Sequence, residues 1–203
     1  MGAFNMNTTV YSDIREIKKY ALDNRVPIMV DDGIDFITTF IIKHQINSVL
    51  EIGTAIGYSA IMMALANPNL KITTIERDKD RYLEAVKNVK KLDLEDRITL
   101  VFSDALETNI EGKFGLIFID AAKGQNIRFF EKYEDNLEEH GFIITDNMNF
   151  HGLVDKVDAE IESRDLRSLV RKIRDYRTFL LNNSNYNVEL LNIGDGIAVA
   201  EKK

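Results

Sequence analysis

The chain reads as an α/β protein: a doubly wound, mostly parallel sheet that ends in an antiparallel hairpin. Three observations predict this. From residue 48 onward short apolar runs alternate with helical stretches. Several of those runs carry no charge, as strands covered on both faces do. After a long last helical stretch, two further runs flank Gly194-Asp195-Gly196, a turn suited to a hairpin that closes the sheet edge.

In chain order, the first 45 residues predict two helices. One runs from Thr9 to Asn24, and the second follows Val26-Pro27 with Ile34, Ile37, Phe40 and Ile41 on one face. Strands are expected at Ser48–Ile52, Lys71–Glu76, Ile98–Phe102, Leu116–Asp120 and Phe142–Asp146. Helices are expected at Tyr58–Ala66, Lys79–Lys91 and Asn126–Leu137. A long helix from Ile161 to Asn182 then precedes strands at Asn187–Leu191 and Gly196–Ala200. Repeats, low-complexity tracts and Pro/Gly-rich linkers are lacking, so 203 residues read as one domain, a helical cap over 1–45 and a core over 46–203.

Composition narrows the function classes. Hydrophobic residues at 45% and charged residues at 29% are ordinary for a globular protein. The longest apolar runs fall far short of the roughly 20 residues of a membrane span, and no secretory signal is read at the start, so a cytoplasmic location is expected. The absence of cysteine excludes disulfides, thiolate metal sites and cysteine nucleophiles. A net charge of −7 argues against nucleic-acid binding by the whole surface while leaving room for a local basic patch.

In doubly wound sheets ligands sit at the carboxyl ends of the strands. The first strand runs into Glu51-Ile52-Gly53-Thr54-Ala55-Ile56-Gly57-Tyr58-Ser59. Glycines here let a ligand approach the backbone, but their spacing is not the Gly-x-Gly-x-x-Gly of dinucleotide binders, which disfavours a nicotinamide dehydrogenase. Glu51 would repel a phosphate and suits a cationic, amine-bearing ligand. Glu76 ends the second strand, where an acid grips ribose hydroxyls, and Ser103-Asp104-Ala105 follows the third, placed for an adenine edge. In this order the features resemble the adenosylmethionine-binding pattern of Rossmann-like class I methyltransferases.

The fourth strand ends in Asp120, followed by Ala121-Ala122-Lys123, and the fifth in Asp146-Asn147. Neighbouring strands lie ~5 Å apart, so adjacency would bring Asp120, Asp146 and Asn147 together. Two carboxylates and an amide oxygen form a hard ligand set for Mg²⁺, Mn²⁺ or Ca²⁺. Acids at strand ends also serve simply as helix caps, a role that fits either Asp alone better than it fits the trio. His151 lies past this motif as a rim residue, and Tyr58 is expected to pack the glycine turn.

The runs Phe118–Lys123 and Ile144–Gly152 resemble the metal-dependent, catechol O-methyltransferase-like family (O-methyltransferase family 3), and the likeness spans nearly the whole chain. It implies an S-adenosyl-L-methionine- and cation-dependent O-methyltransferase, with Mg²⁺ as the expected ion. Asp120, Asp146 and Asn147 would be metal ligands and Lys123 a catalytic lysine. Val30, Glu51, Gly53, Ser59, Glu76, Asp104, Ala105 and Asp120 would contact the cofactor. A bound cation lowers the pKa of a substrate hydroxyl, while Lys123 acts as general base or as an electrostatic partner of the oxyanion. The resemblance also implies a homodimer.

The final helix carries Arg164, Arg167, Arg171 and Arg174 in one stripe at i, i+3, i+7, i+10, with Lys172 and Arg177 nearby. Such a stripe suits phosphates. It equally suits pairing with Asp165, Asp175 or a neighbouring subunit. The tail, with Asn185-Tyr186 and Ile193–Gly196, resembles the bacterial branch that methylates 5-hydroxyuridine at the wobble position of the tRNA anticodon loop. That resemblance implies tRNA as substrate. An O-methyltransferase of small catechol-like phenols and a non-catalytic RNA-binding module are the competing readings, and the latter leaves the aspartates without a role.

Overall fold

The computed structural model describes residues 8–203. The described residues fall into two compact units, divided between Thr108 and Asn109.

In the first unit, α1 (Thr8–Asp23) and α2 (Asp31–Lys43) precede an alternation of β1 (Ser48–Ile52), α3 (Tyr58–Ala66), β2 (Lys71–Glu76), α4 (Lys79–Lys91) and β3 (Ile98–Phe102). The strands pair in the order β3-β2-β1, all parallel, with Ile52 opposite Ile75 and Glu76 opposite Phe102. Ile34, Ile37 and Ile41 of α2 form its buried stripe, as their spacing predicts, and Phe40 sits half-buried at its margin. Helix α3 is apolar almost all round and is largely buried. Asp78 caps α4 by accepting from the N–H groups of Asp80 and Arg81, satisfying two donors that the first turn leaves unpaired.

The second unit contains β4 (Phe114–Ile119), α5 (Asn126–Tyr133), β5 (Leu137–Thr145), α6 (Arg164–Leu181), β6 (Tyr186–Leu191) and β7 (Ile197–Lys202). Here β4 and β5 are parallel, β7 runs antiparallel to β5, and β6 pairs antiparallel with β7. The hairpin expected around Gly194-Asp195-Gly196 is present. Because β7 is antiparallel, its start lies beside the carboxyl end of β5, with Ala198 opposite Thr145. Phe130 is the hub of an aromatic cluster, its ring 5.1 Å from Tyr186, 5.3 Å from Phe179 and 6.4 Å from Tyr176. The buried Tyr176 hydroxyl meets Thr145 Oγ1 at 2.9 Å, fastening α6 to the end of β5.

Several expected boundaries shift: β4 runs from Phe114 to Ile119, two residues earlier at its start and one at its end than expected, and β7 runs on to Lys202. The helix over Asn126–Leu137 ends at Tyr133 in a 3-10 turn, Glu134–Asn136. Strand β5 starts at Leu137, before its apolar stretch, and crosses an irregular register between Phe114 and Leu116 of its partner. Helix α6 begins at Arg164 because Ser163 caps it, accepting from Leu166 N.

Candidate active site

The glycine loop after β1 is organised from beneath by acids. Gly53 and Thr54 donate their N–H groups to the Ile75 carbonyl. The Glu76 carboxylate accepts from Ala55 N at 2.8 Å, Arg77 N at 2.9 Å and Asp78 N at 2.8 Å. Gly57 opens α3 at φ +84, a left-handed conformation that favours glycine, with the Ala85 methyl 3.4 Å from where a Cβ would stand. Glu51 is fully buried and accepts from Ser59 Oγ and Thr74 Oγ1, each at 2.5 Å, and Thr74 in turn meets Thr54 Oγ1 at 2.6 Å. Its place just upstream of the glycine loop suggested an acid suited to a ligand amine. The fold gives Glu51 a hydroxyl network that the sequence reading had not placed, though Ser59 and Glu51 do come together. Asp104 accepts from Leu106 N at 2.8 Å and from Arg77 Nη1 at 3.2 Å, and Ala105 beside it is buried. Val30 is exposed and starts α2. Tyr58 packs as expected, buried, with the Lys18 ammonium 6.0 Å from its ring centre; burial raises the pKa of its phenol.

In the second unit, strands β4 and β5 end in step, Ile119 opposite Thr145, and Asp146 N donates to the Ile119 carbonyl at 3.1 Å. Asp120 and Asp146 therefore leave neighbouring strands side by side. Asp146 is 5% exposed, and burial, then the charge of Asp120, pushes its carboxyl up to about 7. The Asn147 N–H and the Lys123 ammonium pull the other way. Lys123 Nζ lies 3.1 Å from Asp120 Oδ1. Asn147 has φ 62, and Phe150, His151 and Gly152 also take positive φ. Such conformations persist only where surroundings enforce them.

Among the described residues no group of three or more His, Cys, Asp or Glu side chains is gathered for a metal, so any cation here rests on two carboxylates and the Asn147 amide. These residues fit one. Two acids crowd a largely buried position that a single ammonium only partly neutralises, and all the donors are hard oxygens.

Three arginines of the α6 stripe pair within the chain. Arg174 donates to the carbonyls of Val154 (2.8 Å) and Lys156 and to Asp158 Oδ1 (2.7 Å). Arg171 donates twice to Asp158 Oδ2, at 2.8 and 2.5 Å, and Arg167 to the Ile161 carbonyl at 2.5 Å. Their partners are thus Asp158 and loop carbonyls, not Asp165 or Asp175, because α6 packs beneath residues 154–162. Arg164 and Lys172 stay exposed. Lys172 lies over the turn that carries Lys123, and a methyl group on Gly124 would come within 3.2 Å of its Cδ. His151 is an exposed rim residue whose N–H donates to Asp195 Oδ1.

Comparison with known proteins decides the family. The family model of the O-methyltransferases matches residues 6–203. The chain belongs to the O-methyltransferase family. A Staphylococcus aureus structure provisionally named a caffeoyl-CoA O-methyltransferase is 36% identical to this O-methyltransferase, with TM-score 0.89 over 94% of this chain and 92% of that one. The Populus kitakamiensis caffeoyl-CoA O-methyltransferase is 27% identical over 194 residues, covering 91% of this chain and 82% of its own length. A Bacillus cereus O-methyltransferase determined in complex with SAH shares the fold at TM-score 0.82 and 24% identity, over 95% of this chain and 91% of that one. The fold is therefore the Rossmann-like methyltransferase fold, mostly parallel with antiparallel C-terminal strands.

Proposed function

We propose that this O-methyltransferase moves a methyl group from S-adenosylmethionine to a hydroxyl oxygen, with a divalent cation, Mg²⁺ in the first instance, held by Asp120, Asp146 and Asn147. The observation that carries the reading is the placing of Asp120 and Asp146 at the ends of paired strands, with Asn147 next in the chain and Lys123 in reach of Asp120. The B. cereus relative bound to SAH supports the choice of cofactor, since S-adenosylhomocysteine is what the donor becomes after giving up its methyl group.

When bound, the cation supplies charge that stabilises the deprotonated acceptor oxygen, and the sulfonium supplies the methyl group. The chain's own residues do the rest. Gly53, Thr54 and Ala55 hold the loop backbone in place through the Ile75 carbonyl and Glu76, giving the donor a fixed floor. Lys123 provides the amine beside the carboxylates. Held 3.1 Å from Asp120 Oδ1, it is placed to steady the oxyanion by its charge while the hydroxyl proton passes to water. Lys123→Arg, which keeps the charge but cannot act as a base, is expected to retain at least ~10-fold more kcat than Lys123→Met. Equal loss in both would assign Lys123 the role of base.

For the acceptor we propose 5-hydroxyuridine in the tRNA anticodon loop, whose enol-type hydroxyl stands next to a carbonyl oxygen and offers the two-oxygen pattern of a catechol. Single-stranded loops present splayed bases to such sites. Support comes from the tail's resemblance and from the exposed cations Arg164 and Lys172 on α6. The names of the plant relatives favour a small-phenol acceptor instead. Purified protein with labelled S-adenosylmethionine and Mg²⁺ is offered tRNA bearing 5-hydroxyuridine or a catechol. Transfer to the tRNA, lost with EDTA and in Asp146→Ala, is the expected result. Transfer to catechol alone would discard the RNA reading, and transfer to neither would count against both.

A further inference from the structure

Asp195 is a turn residue that the methyl-transfer reading does not use. It sits between Gly194 and Gly196 in the turn just before β7, and its carboxylate is largely shielded, with 14% side-chain exposure. One oxygen, Oδ1, accepts from His151 N at 2.5 Å, and the other, Oδ2, accepts from Asn147 Nδ2 at 3.3 Å. The surroundings hold this carboxylate in place. Met148 N donates to the Gly196 carbonyl at 2.9 Å, Asn149 N to the Asp195 carbonyl at 2.8 Å, and Asn149 Nδ2 to Asn192 Oδ1 at 2.8 Å. Gly196, at φ +86, is pressed so close that a Cβ there would lie 2.7 Å from Asn149 N. The turn 192–196 and the segment 147–151 therefore form one braced unit.

An ionised carboxylate only accepts hydrogen bonds, whereas an amide side chain has a donating edge and an accepting edge. Facing Asp195, Asn147 has one favourable orientation: Nδ2 toward the carboxylate and Oδ1 away from it. We infer that Asp195 is a positioning residue for the cation site, which selects the amide orientation that offers Asn147 Oδ1, rather than Nδ2, as a ligand. Residues behind the ligands often set affinity in this way by fixing which atom the ligand presents. The inference rests on reading Asp120, Asp146 and Asn147 as that site.

The test is Mn²⁺ affinity of the full chain, read by the electron paramagnetic resonance of free Mn²⁺, with a thermal melt of each metal-free variant alongside. Asp146→Ala is the control. If wild type and Asp146→Ala bind Mn²⁺ alike, the cation reading fails and the role of Asp195 falls with it. With that control satisfied, Asp195→Ala is expected to weaken Mn²⁺ binding by about 10- to 100-fold. Unchanged affinity would overturn the inference and leave the cation reading standing.

The decisive arm repeats the substitution in an Asn147→Asp background. There both side-chain oxygens can serve as ligands and no orientation needs selecting, so Asp195→Ala should cost less than about 3-fold. The same loss in both backgrounds would show that Asp195 acts through its charge or through loop folding alone, and would overturn the inference. Asp195→Asn, which keeps the side-chain volume, carries the same cycle if the alanine variant melts too low to assay.

Discussion

Burying a carboxylate beside another carboxylate costs free energy unless a proton or a cation joins them. Asp146 is in that position, its pKa pushed from 3.8 to about 7 by burial and by Asp120. A folded-state pKa above the unfolded value means that the folded chain binds the extra proton. The associated stability is complete below about pH 4 and is lost as pH rises to and through about 7. A shift of this size corresponds to roughly 4 kcal/mol at full loss. Asp146→Asn imitates the protonated form. In EDTA it is expected to melt close to wild type at pH 4 and several degrees higher at pH 8, as thermal melts at both pH values would show. An equal difference at both pH values would mean that Asp146 is not a proton-binding liability in the folded state. Asp146 and Asp120 were legible in the sequence, because two strands that each end in Asp needed only adjacency to bring them together. Asp195 was not. An Asp between two glycines is a sufficient recipe for a hairpin turn, and its second task depends on β7 running antiparallel beside β5, which places the turn at the same end as Asn147.

At the scale of elements, α6 serves as a frame for the loop that follows the aspartates. Arg171 and Arg174 share Asp158, and Arg174 reaches two loop carbonyls as well. Arg174→Ala is expected to destabilise the protein by about 1.5–3 kcal/mol, the range for hydrogen bonds to a charged group. It should also speed proteolytic cleavage within residues 151–160, followed by limited digestion of wild type and variant. Cleavage at wild-type rates would remove the framing role. Periodicity located this stripe to the residue but could not name its partners, because a helix pattern records which side chains share a face and not what lies opposite. The same limit explains β5. Leu137-Glu138-Glu139-His140 has no apolar alternation, so the strand was read only from Phe142, although pairing with β4 begins at Leu137. Strands β1, β2 and β3 were read to the residue, since each is a short apolar run between clear breakers.

At the scale of the whole molecule, a net charge of −7 confines any contact with a polyanion to a local patch. If tRNA is the acceptor, KM for tRNA should rise steeply between ~50 and ~200 mM salt as phosphate contacts are screened, with kcat little changed. KM for a catechol should barely move over the same range. A salt-independent KM for tRNA would argue that no phosphate contacts contribute, and so against RNA as the natural acceptor. No helix among the described residues is long and apolar enough to cross a membrane. The bracing of residues 147–151 on the turn at 192–196 also has a meaning in time. Synthesis proceeds from the N-terminus, so Asp120, Asp146 and Asn147 leave the ribosome well before β7, and the nascent chain carries its acids without the strand that holds them in register. The chemistry of this end of the protein therefore waits on the arrival of residues 192–202, and a chain released before that point would keep the motif but lack its support.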